Sequence, residues 1–317
     1  MKKQAVIVAI IIFLGLGTAW TKTYKIRKVG EYPNFLALSP DGNTAYVTSF
    51  GTGDLLAVDL GQKAITGSVQ VGEAPLGIAL ADNGKTAFIA CKDSGTVAVV
   101  DLASLRVEAN IKVGGSPNAV AISPKGYRAF VTNFGRTREG TLHIIDVRER
   151  TVTSTMKMGM APIALAISSI NETVYVVNGG SNDVWVVNPG RQTVVAKIPV
   201  GEAPDGIAIS PDGKRVFVTN SRSDDLSVID AQLNKVLVTV PGLKKPFGVA
   251  VSPDGKRVYV VNTGSRTVSH LPADLSSLEA QVIQVDKGPT DVKVTPDSRA
   301  IVVVNEQSSS LVVAEVP

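Results

Sequence analysis

The chain repeats one pattern seven times from end to end, and this repetition constrains its fold more than any other feature. A proline opens each copy, and a second landmark, most often asparagine, follows within it. The prolines are 42, 42, 45, 42, 42 and 43 residues apart, and the second landmarks keep the same intervals. Two landmarks in one register indicate seven copies of one structural unit. The landmarks are Pro33, Pro75, Pro117, Pro162, Pro204, Pro246 and Pro289, followed by Ser49, Cys91, Asn133, Asn178, Asn220, Asn262 and Asn305.

Each copy reads as four short antiparallel strands. In the copy that opens at Pro204, β-branched and apolar residues predict strands over Gly206–Ile209, Val216–Thr219, Leu226–Ile229 and Val236–Val240. The first two are joined by Ser-Pro-Asp-Gly, in which proline presets φ and glycine takes the left-handed position. One such sheet is too small to bury its own two faces, so copies of it must cover each other.

The last copy is one strand short, and the start of the chain supplies it. After Pro289 we expect only three strands, at Val292–Thr295, Ile301–Val304 and Leu311–Val316. The segment Tyr24–Val29 precedes the first copy and is similar to the segments that end the later copies. The sequence therefore predicts an all-β, seven-bladed β-propeller over residues 24–317, a single domain whose last blade is closed by the N-terminal strand.

Several copies share a short motif at the second predicted strand, namely AYVTS (Ala45–Ser49), AFVTN (Ala129–Asn133), VFVTN (Val216–Asn220) and VYVVN (Val174–Asn178). With the SPDGK and VGxxP elements, this motif resembles the YVTN-repeat β-propellers. The resemblance covers the whole chain after the N-terminal segment. It implies an extracytoplasmic or cell-surface propeller used for binding, and it implies no particular reaction.

The first 20 residues have the layout of a secretory signal. Lys2 and Lys3 precede an apolar run from Ala5 to Leu16, and small residues follow it. We expect residues 1–19 to be removed after Ala19, which places the body in the periplasm or on the cell surface. The alternative is an uncleaved anchor, in which residues 5–20 are the only membrane contact, although this run is shorter than the ~20 residues that span a bilayer.

The charge balance gives little support for nucleic-acid binding. The formal net charge is +4, and without the two N-terminal lysines 30 basic residues face 28 acidic ones. A groove for nucleic acid needs a continuous basic stripe with stacking aromatic rings. The partner that we expect is instead another envelope protein or a small ligand at the channel mouth, and we expect a monomer.

Residues that recur in most copies are explained by the blade. The acidic or amide residue that ends each third strand, as at Asp59 or Asp230, satisfies turn amides. The innermost strands carry two columns of Gly and Ala where seven strands converge on the axis. Phe35, Asp291 and Lys293 interrupt these columns. The two charged residues point to one face, beside the first blade, and form either a mutually paired couple or a pair that contacts a ligand.

Residues that do not recur are the candidates for specificity. The residue after each proline rims the channel, and the longest interval adds a loop on the same face between Asn133 and Leu142. The arginines of that loop are candidate anion contacts, with other basic residues on this face. The candidate ligand or partner contacts are Asn34, Phe35, Asn118, Arg136, Arg138, Asp205, Arg222, Lys244, Lys245, Phe247, Arg266, Asp291 and Lys293.

No catalytic or cofactor motif is recognisable, so we predict neither a cofactor nor a metal site. The two histidines, His143 and His270, fall in different copies and out of register, and Cys91 stands where other copies carry asparagine. We therefore favour a non-catalytic binding or scaffold module in the cell envelope over an enzyme. The alternatives are a lactonase-like hydrolase that uses Asp205 or Asp291, and a nucleic-acid-binding propeller.

Overall fold

The computed structural model describes residues 22–134 and 139–316, except for the side chain of Asp82. Seven four-stranded antiparallel sheets, or blades, make up this part of the chain, as the repeat predicts. The predicted signal segment, residues 1–19, and the arginines of the predicted loop lie outside the described residues. Within the described part, no helix has the length and apolar character needed to cross a membrane.

The first four blades follow the chain, each from its innermost strand outward. A single 3₁₀ turn, Asp82–Gly84, lies between the first two strands of blade 2. Blade 1 contains β2 (Pro33–Leu38), β3 (Thr44–Ser49), β4 (Asp54–Asp59) and β5 (Ala64–Gln70); blade 2 contains β6 (Pro75–Ala81), β7 (Thr86–Cys91), β8 (Thr96–Asp101) and β9 (Arg106–Lys112); blade 3 contains β10 (Ser116–Ile122), β11 (Arg128–Phe134), β12 (Glu139–Asp146) and β13 (Thr151–Met160); blade 4 contains β14 (Pro162–Ile167), β15 (Val174–Asn178), β16 (Asp183–Asn188) and β17 (Thr193–Pro199).

The last three blades include the one that joins the two ends of the chain. Its outermost strand comes from the N-terminal side and precedes all the others in sequence. Blade 5 contains β18 (Pro204–Ile209), β19 (Arg215–Asn220), β20 (Asp225–Asp230) and β21 (Lys235–Val240); blade 6 contains β22 (Pro246–Val251), β23 (Arg257–Asn262), β24 (Thr267–Pro272) and β25 (Gln281–Gln284); blade 7 contains β26 (Pro289–Val294), β27 (Ala300–Asn305), β28 (Ser310–Glu315) and β1 (Thr23–Arg27).

Closure of the ring by the N-terminal strand is confirmed. Strand β1 pairs antiparallel with β28, so that Ile26 lies opposite Leu311 and Arg27 opposite Ser310. The strand is shorter than the expected Tyr24–Val29 because Lys28 adopts a left-handed backbone with φ of 61°. Thr295 and Val316, expected within strands, also lie just outside them.

The two sequence landmarks face each other across the first two strands of every blade. The proline pairs with the second-strand landmark in all seven sheets, from Pro33 with Ser49 to Pro289 with Asn305. The register shifts directly after each of these pairs. A β-bulge at this point re-aims the residues that follow the proline. The repeated interval in the sequence is therefore the interval between equivalent pairs of this kind in successive sheets.

The core is divided among the interfaces between blades. Seven apolar clusters are found in the described chain, and each combines residues from two neighbouring blades. Second strands are buried on both faces, as in the fully buried β15. The cluster between blades 7 and 1 contains Ile26 and Val29 of the N-terminal segment together with Leu36, Val304 and Leu311. No blade buries its faces without both of its neighbours.

We predict that Ile26→Ala lowers the free energy of unfolding by about 2–5 kcal/mol, as expected for a buried isoleucine in a packed core. Ile26 is 4% exposed and belongs to the closing strand. The matched control is Ile65→Ala on an outer strand, where the side chain is 40% exposed, and it should change stability much less. Urea denaturation of both variants measures the difference. Equal effects would show that the closing strand does not hold the ring.

Candidate functional site

A cavity of about 440 Å³ lies where the seven innermost strands meet. Every blade contributes lining residues to it. Each innermost strand is hydrogen-bonded on one side only, to the second strand of its blade. Its other edge therefore offers backbone N–H and C=O groups toward the cavity. The volume lies in the range of pockets that enclose small organic molecules.

Glycines in the first small-residue column let neighbouring innermost strands approach closely. A Cβ atom at Gly206 would lie 2.2 Å from the carbonyl oxygen of Phe247, and one at Gly248 would lie 2.6 Å from that of Thr290. Gly77 meets Ala119 of blade 3 in the same way, at 2.7 Å from its Cα. These positions thus point at the next blade around the ring. The side chains in this column are small because neighbouring innermost strands are in contact there.

Asp291 occupies the same column and bonds to the next blade. It is 3% exposed, and its Oδ2 accepts a hydrogen bond of 3.2 Å from the backbone N–H of Leu36. Its Oδ1 accepts the N–H of Val292 at 2.9 Å. Lys293 donates from Nζ to both carboxylate oxygens at 2.8 Å. Mutual pairing of this couple is therefore confirmed, contact of the pair with a ligand stays a prediction, and Asp291 also joins blade 7 to blade 1.

Threonine hydroxyls secure the same sector of the ring. Thr290 donates to the carbonyl of Asn34 at 2.7 Å, and Thr263 donates to that of Pro289 at 2.7 Å. The hydroxyl of Thr219 donates to the carbonyl of Phe247. These bonds connect blade 5 to 6, 6 to 7 and 7 to 1. The walls of the cavity on this side are consequently held in fixed positions.

Asp205 lies at the position after the proline in blade 5 and lines the cavity. Its side chain is partly buried, and desolvation raises the pKa of this carboxyl. The nearby Ser221 hydroxyl donates to the carbonyl of Ala203 at 3.0 Å. No ion pair of Asp205 occurs among the described residues. The backbone contact between Gly206 and Phe247 makes Phe247 the neighbour of Asp205 around the rim.

Six of the thirteen predicted contact residues line the cavity. Others lie on the surrounding surface: Arg222, Lys244, Lys245 and Arg266 are exposed. Asn34 is partly buried and supplies only its carbonyl to the Thr290 bond noted above. Arg136 and Arg138 lie outside the described residues, so their role stays a prediction. The six lining residues are Phe35, Asn118, Asp205, Phe247, Asp291 and Lys293.

Sequence reasoning missed the aliphatic residues of the lining. Four of these residues are Ile78, Val120, Ile207 and Val249. In the sequence, each occupies a position in its strand that the alternation of apolar residues assigns to the core. Strand periodicity assigns such residues to a buried face and cannot separate a blade interface from the axis. Each of the four lies three residues after the proline of its blade, between the two columns of small residues, and this position is the signal in the sequence that would have identified them.

The loops between second and third strands lie on the face where the prolines lie, as predicted. Their backbone N–H groups donate to the loop that precedes each innermost strand, as from Gly179 to Ala161 at 2.8 Å and from Ser221 to Ala203 at 2.9 Å. The added residues of the longest interval fall between Asn133 and its partner Thr141. The described ends of the insertion, Asn133 and Thr141, therefore lie on this same face.

The aspartate or asparagine that ends the third strand has the structural role predicted for it in blades 1 to 5. Asp230 Oδ1 accepts the N–H of Leu233 at 2.8 Å, and the equivalent residues cap the same turn in blades 1 to 4. Asn133 Oδ1 accepts the N–H of Ser116 at 2.7 Å.

Both histidines are buried, and burial lowers the pKa of each. Burial raises the pKa of the Cys91 thiol to about 11, which leaves it protonated at neutral pH.

Metal ligands do not cluster in the described residues: no three His, Cys, Asp or Glu side chains there are placed to share an ion. The charged groups at the cavity are two carboxylates and one ammonium, and two of these three bind each other. The arrangement can therefore hold a small molecule by one carboxylate, two aromatic rings, an amide and the strand edges.

Comparison with known proteins supports the architecture. Residues 144–262 match the family of YNCE-like beta-propellers. This match is consistent with the YVTN-type resemblance and covers blades 4 and 5 and parts of their neighbours. No curated protein matches the chain.

Among solved structures, the chain is similar to a hydrazine synthase chain from Kuenenia stuttgartiensis. The TM-score is 0.83 with 21% identity, over 92% of this chain and 97% of that chain. At this identity the likeness shows the fold alone.

We predict that Asp205→Asn makes the protein more stable than the wild type at pH 7. The folded-state pKa of Asp205 is raised by burial, so its charged form destabilises the fold above that pKa. This cost disappears as the pH falls below the ordinary aspartate value, where the carboxyl is neutral in both states. The advantage of the variant should therefore shrink between pH 7 and about pH 3.5.

Urea denaturation at both pH values measures this difference. Asp93→Asn is the control, because it removes one negative charge from an exposed residue on the same face. An advantage for Asp205→Asn that is the same at both pH values would contradict the desolvation argument.

Proposed function

We propose that this protein is an exported, non-catalytic propeller that binds a small organic molecule in its central cavity. The observation that carries the proposal is the 440 Å³ cavity, in which non-recurring polar and aromatic side chains converge from different blades. Recurrent residues build the ring, whereas Phe35, Asp205 and Phe247 each differ from their equivalents in the other copies, and Asn118 is shared with one other copy, at Asn34. Residues that differ from the repeated pattern and meet in one cavity support the binding of a specific ligand there.

The contacts of Asp291 favour binding over hydrolysis. A general base must have a free lone pair directed at the substrate, and Asp291 already accepts bonds from Leu36, Val292 and Lys293. Asp205 would then have to act without a second free carboxylate at the cavity. Rigid strand edges and a compensated ion pair suit a preorganised binding pocket.

Binding in the cavity can be tested with a fragment screen read by ligand-observed NMR. The screen should contain neutral, anionic and cationic fragments. We expect binders whose signals weaken at least tenfold in Asn118→Trp, which narrows the cavity mouth. Leu233→Trp is the matched control, because Leu233 is 65% exposed on the turn before an outer strand.

Circular dichroism and the thermal midpoint should show that both tryptophan variants are folded. Fragments that bind the wild type and the Asn118→Trp variant equally would place their site elsewhere and overturn the proposal.

Export is the second part of the proposal, and it is supported by the charged start, apolar run and small residues at 1–19. Expression of the full chain in a bacterial host should give a mature protein that begins at Trp20 in the periplasmic fraction. N-terminal sequencing measures this. A chain that keeps Met1 and pellets with membranes would instead indicate an anchor, and one found in the cytoplasm would contradict export.

A further inference from the structure

The charges that line the cavity do not cancel. Lys293 directs Nζ to both oxygens of Asp291 at 2.8 Å and lies 3.5 Å from the carbonyl of Val292. Its N–H groups are thereby engaged, and the pair is compensated. Asp205 is the remaining charged residue of the lining. Within the described chain, the cavity thus has an excess of one negative charge.

A positively charged ligand beside Asp205 would offset the free-energy cost of removing its carboxylate from water. Asp205 is partly buried, desolvation raises its pKa, and the nearby Ser221 hydroxyl donates to the carbonyl of Ala203 at 3.0 Å. Arg222, which follows Ser221, is exposed and does not line the cavity. A carboxylate that is removed from water without a cation is destabilised, and an ammonium group brought into contact with it restores the lost interaction.

Aromatic rings accompany this carboxylate. Phe247 belongs to the next blade, and its carbonyl oxygen would be 2.2 Å from a Cβ at Gly206, the residue after Asp205. Phe35 stands at a position where most other copies carry Gly or Ala, and it also lines the cavity. The faces of such rings attract ammonium groups, most strongly where water is excluded. Most of the remaining wall is made of Gly, Ala, Ile, Leu and Val residues that can contact an alkyl chain.

We infer that the ligand of the central cavity is a small organic ammonium compound. This inference rests on the proposed function. The charged nitrogen contacts the carboxylate of Asp205 and the ring of Phe247, and the alkyl portion lies along the aliphatic wall toward Phe35. Among the residues that the structure describes, nothing favours an anionic ligand, because Lys293 is engaged by Asp291 and the exposed lysines Lys244 and Lys245 lie outside the lining.

The test uses four probes of similar size and different charge: n-butylammonium, tetramethylammonium, n-butanol and butyrate. Each is titrated into the full chain at pH 7 by isothermal calorimetry, with saturation-transfer NMR for weak binding. We expect the two ammonium probes to bind and butyrate and butanol to bind at least tenfold more weakly. Lowering the pH through the raised pKa of Asp205 should weaken ammonium binding, since the carboxyl becomes neutral.

Three variants locate the binding. Asp205→Asn should weaken the ammonium probes at least tenfold while the fold is kept. Phe247→Leu should weaken them about two- to thirtyfold, the range for loss of a cation–π contact. Asp93→Asn removes an equal charge from the same face and should leave the affinity unchanged. A loss as large in Asp93→Asn as in Asp205→Asn would show general attraction by the surface and overturn the assignment.

The remaining outcomes separate this inference from the proposed function. If butanol or butyrate binds as well as the ammonium probes and Asp205→Asn has no effect, the ammonium assignment is wrong. The same holds if none of the four probes binds while other fragments do so in an Asn118→Trp-sensitive manner; in both cases the cavity remains a binding site. If the fragment screen yields no such binder either, the proposed function fails with it.

Discussion

No blade of this protein can bury its own two faces, and the rest of the structure depends on that constraint. Each apolar cluster is shared by two neighbours, so stability requires that the ring be complete. The weakest point of any ring is where its two ends meet. Here β1 completes the sheet of β28, and Ile26 enters the same cluster as Leu36 of the first blade. Residues 22–27 therefore act as a structural part of the last blade.

The joint between blades 7 and 1 also contains two side-chain hydrogen bonds at the axis. Asp291 bonds to Leu36, and Thr290 bonds to Asn34, so two side chains of β26 hold the backbone of β2. In blades 2, 5 and 6, glycine allows direct backbone approach at the same position. A charge at this position must be compensated locally, and Lys293 does this from the same strand. The ion pair is thus explained by closure and need not be reserved for a ligand.

The sequence predicts the blades well because one pattern is repeated seven times. The pairing of Pro204 with Asn220, and its equivalents, turns a spacing in the sequence into a contact in the fold. The bulge after each proline is what sequence reasoning could not resolve. It decides which of the next residues face the axis and which face a neighbour, and it depends on tertiary packing. Asn118 and Asp205 consequently line the cavity, whereas Asn34, predicted on the same grounds, uses its carbonyl to join two blades.

A repeated fold also provides a way to separate recognition from architecture. A residue that serves the blade should recur, as the turn aspartates do. Asp205 does not recur, and its partial burial makes its charge unfavourable. A neutral polar residue at this position would avoid that penalty. A destabilising carboxylate beside a non-recurring phenylalanine is therefore best explained by an interaction that exists only when a positively charged ligand is bound.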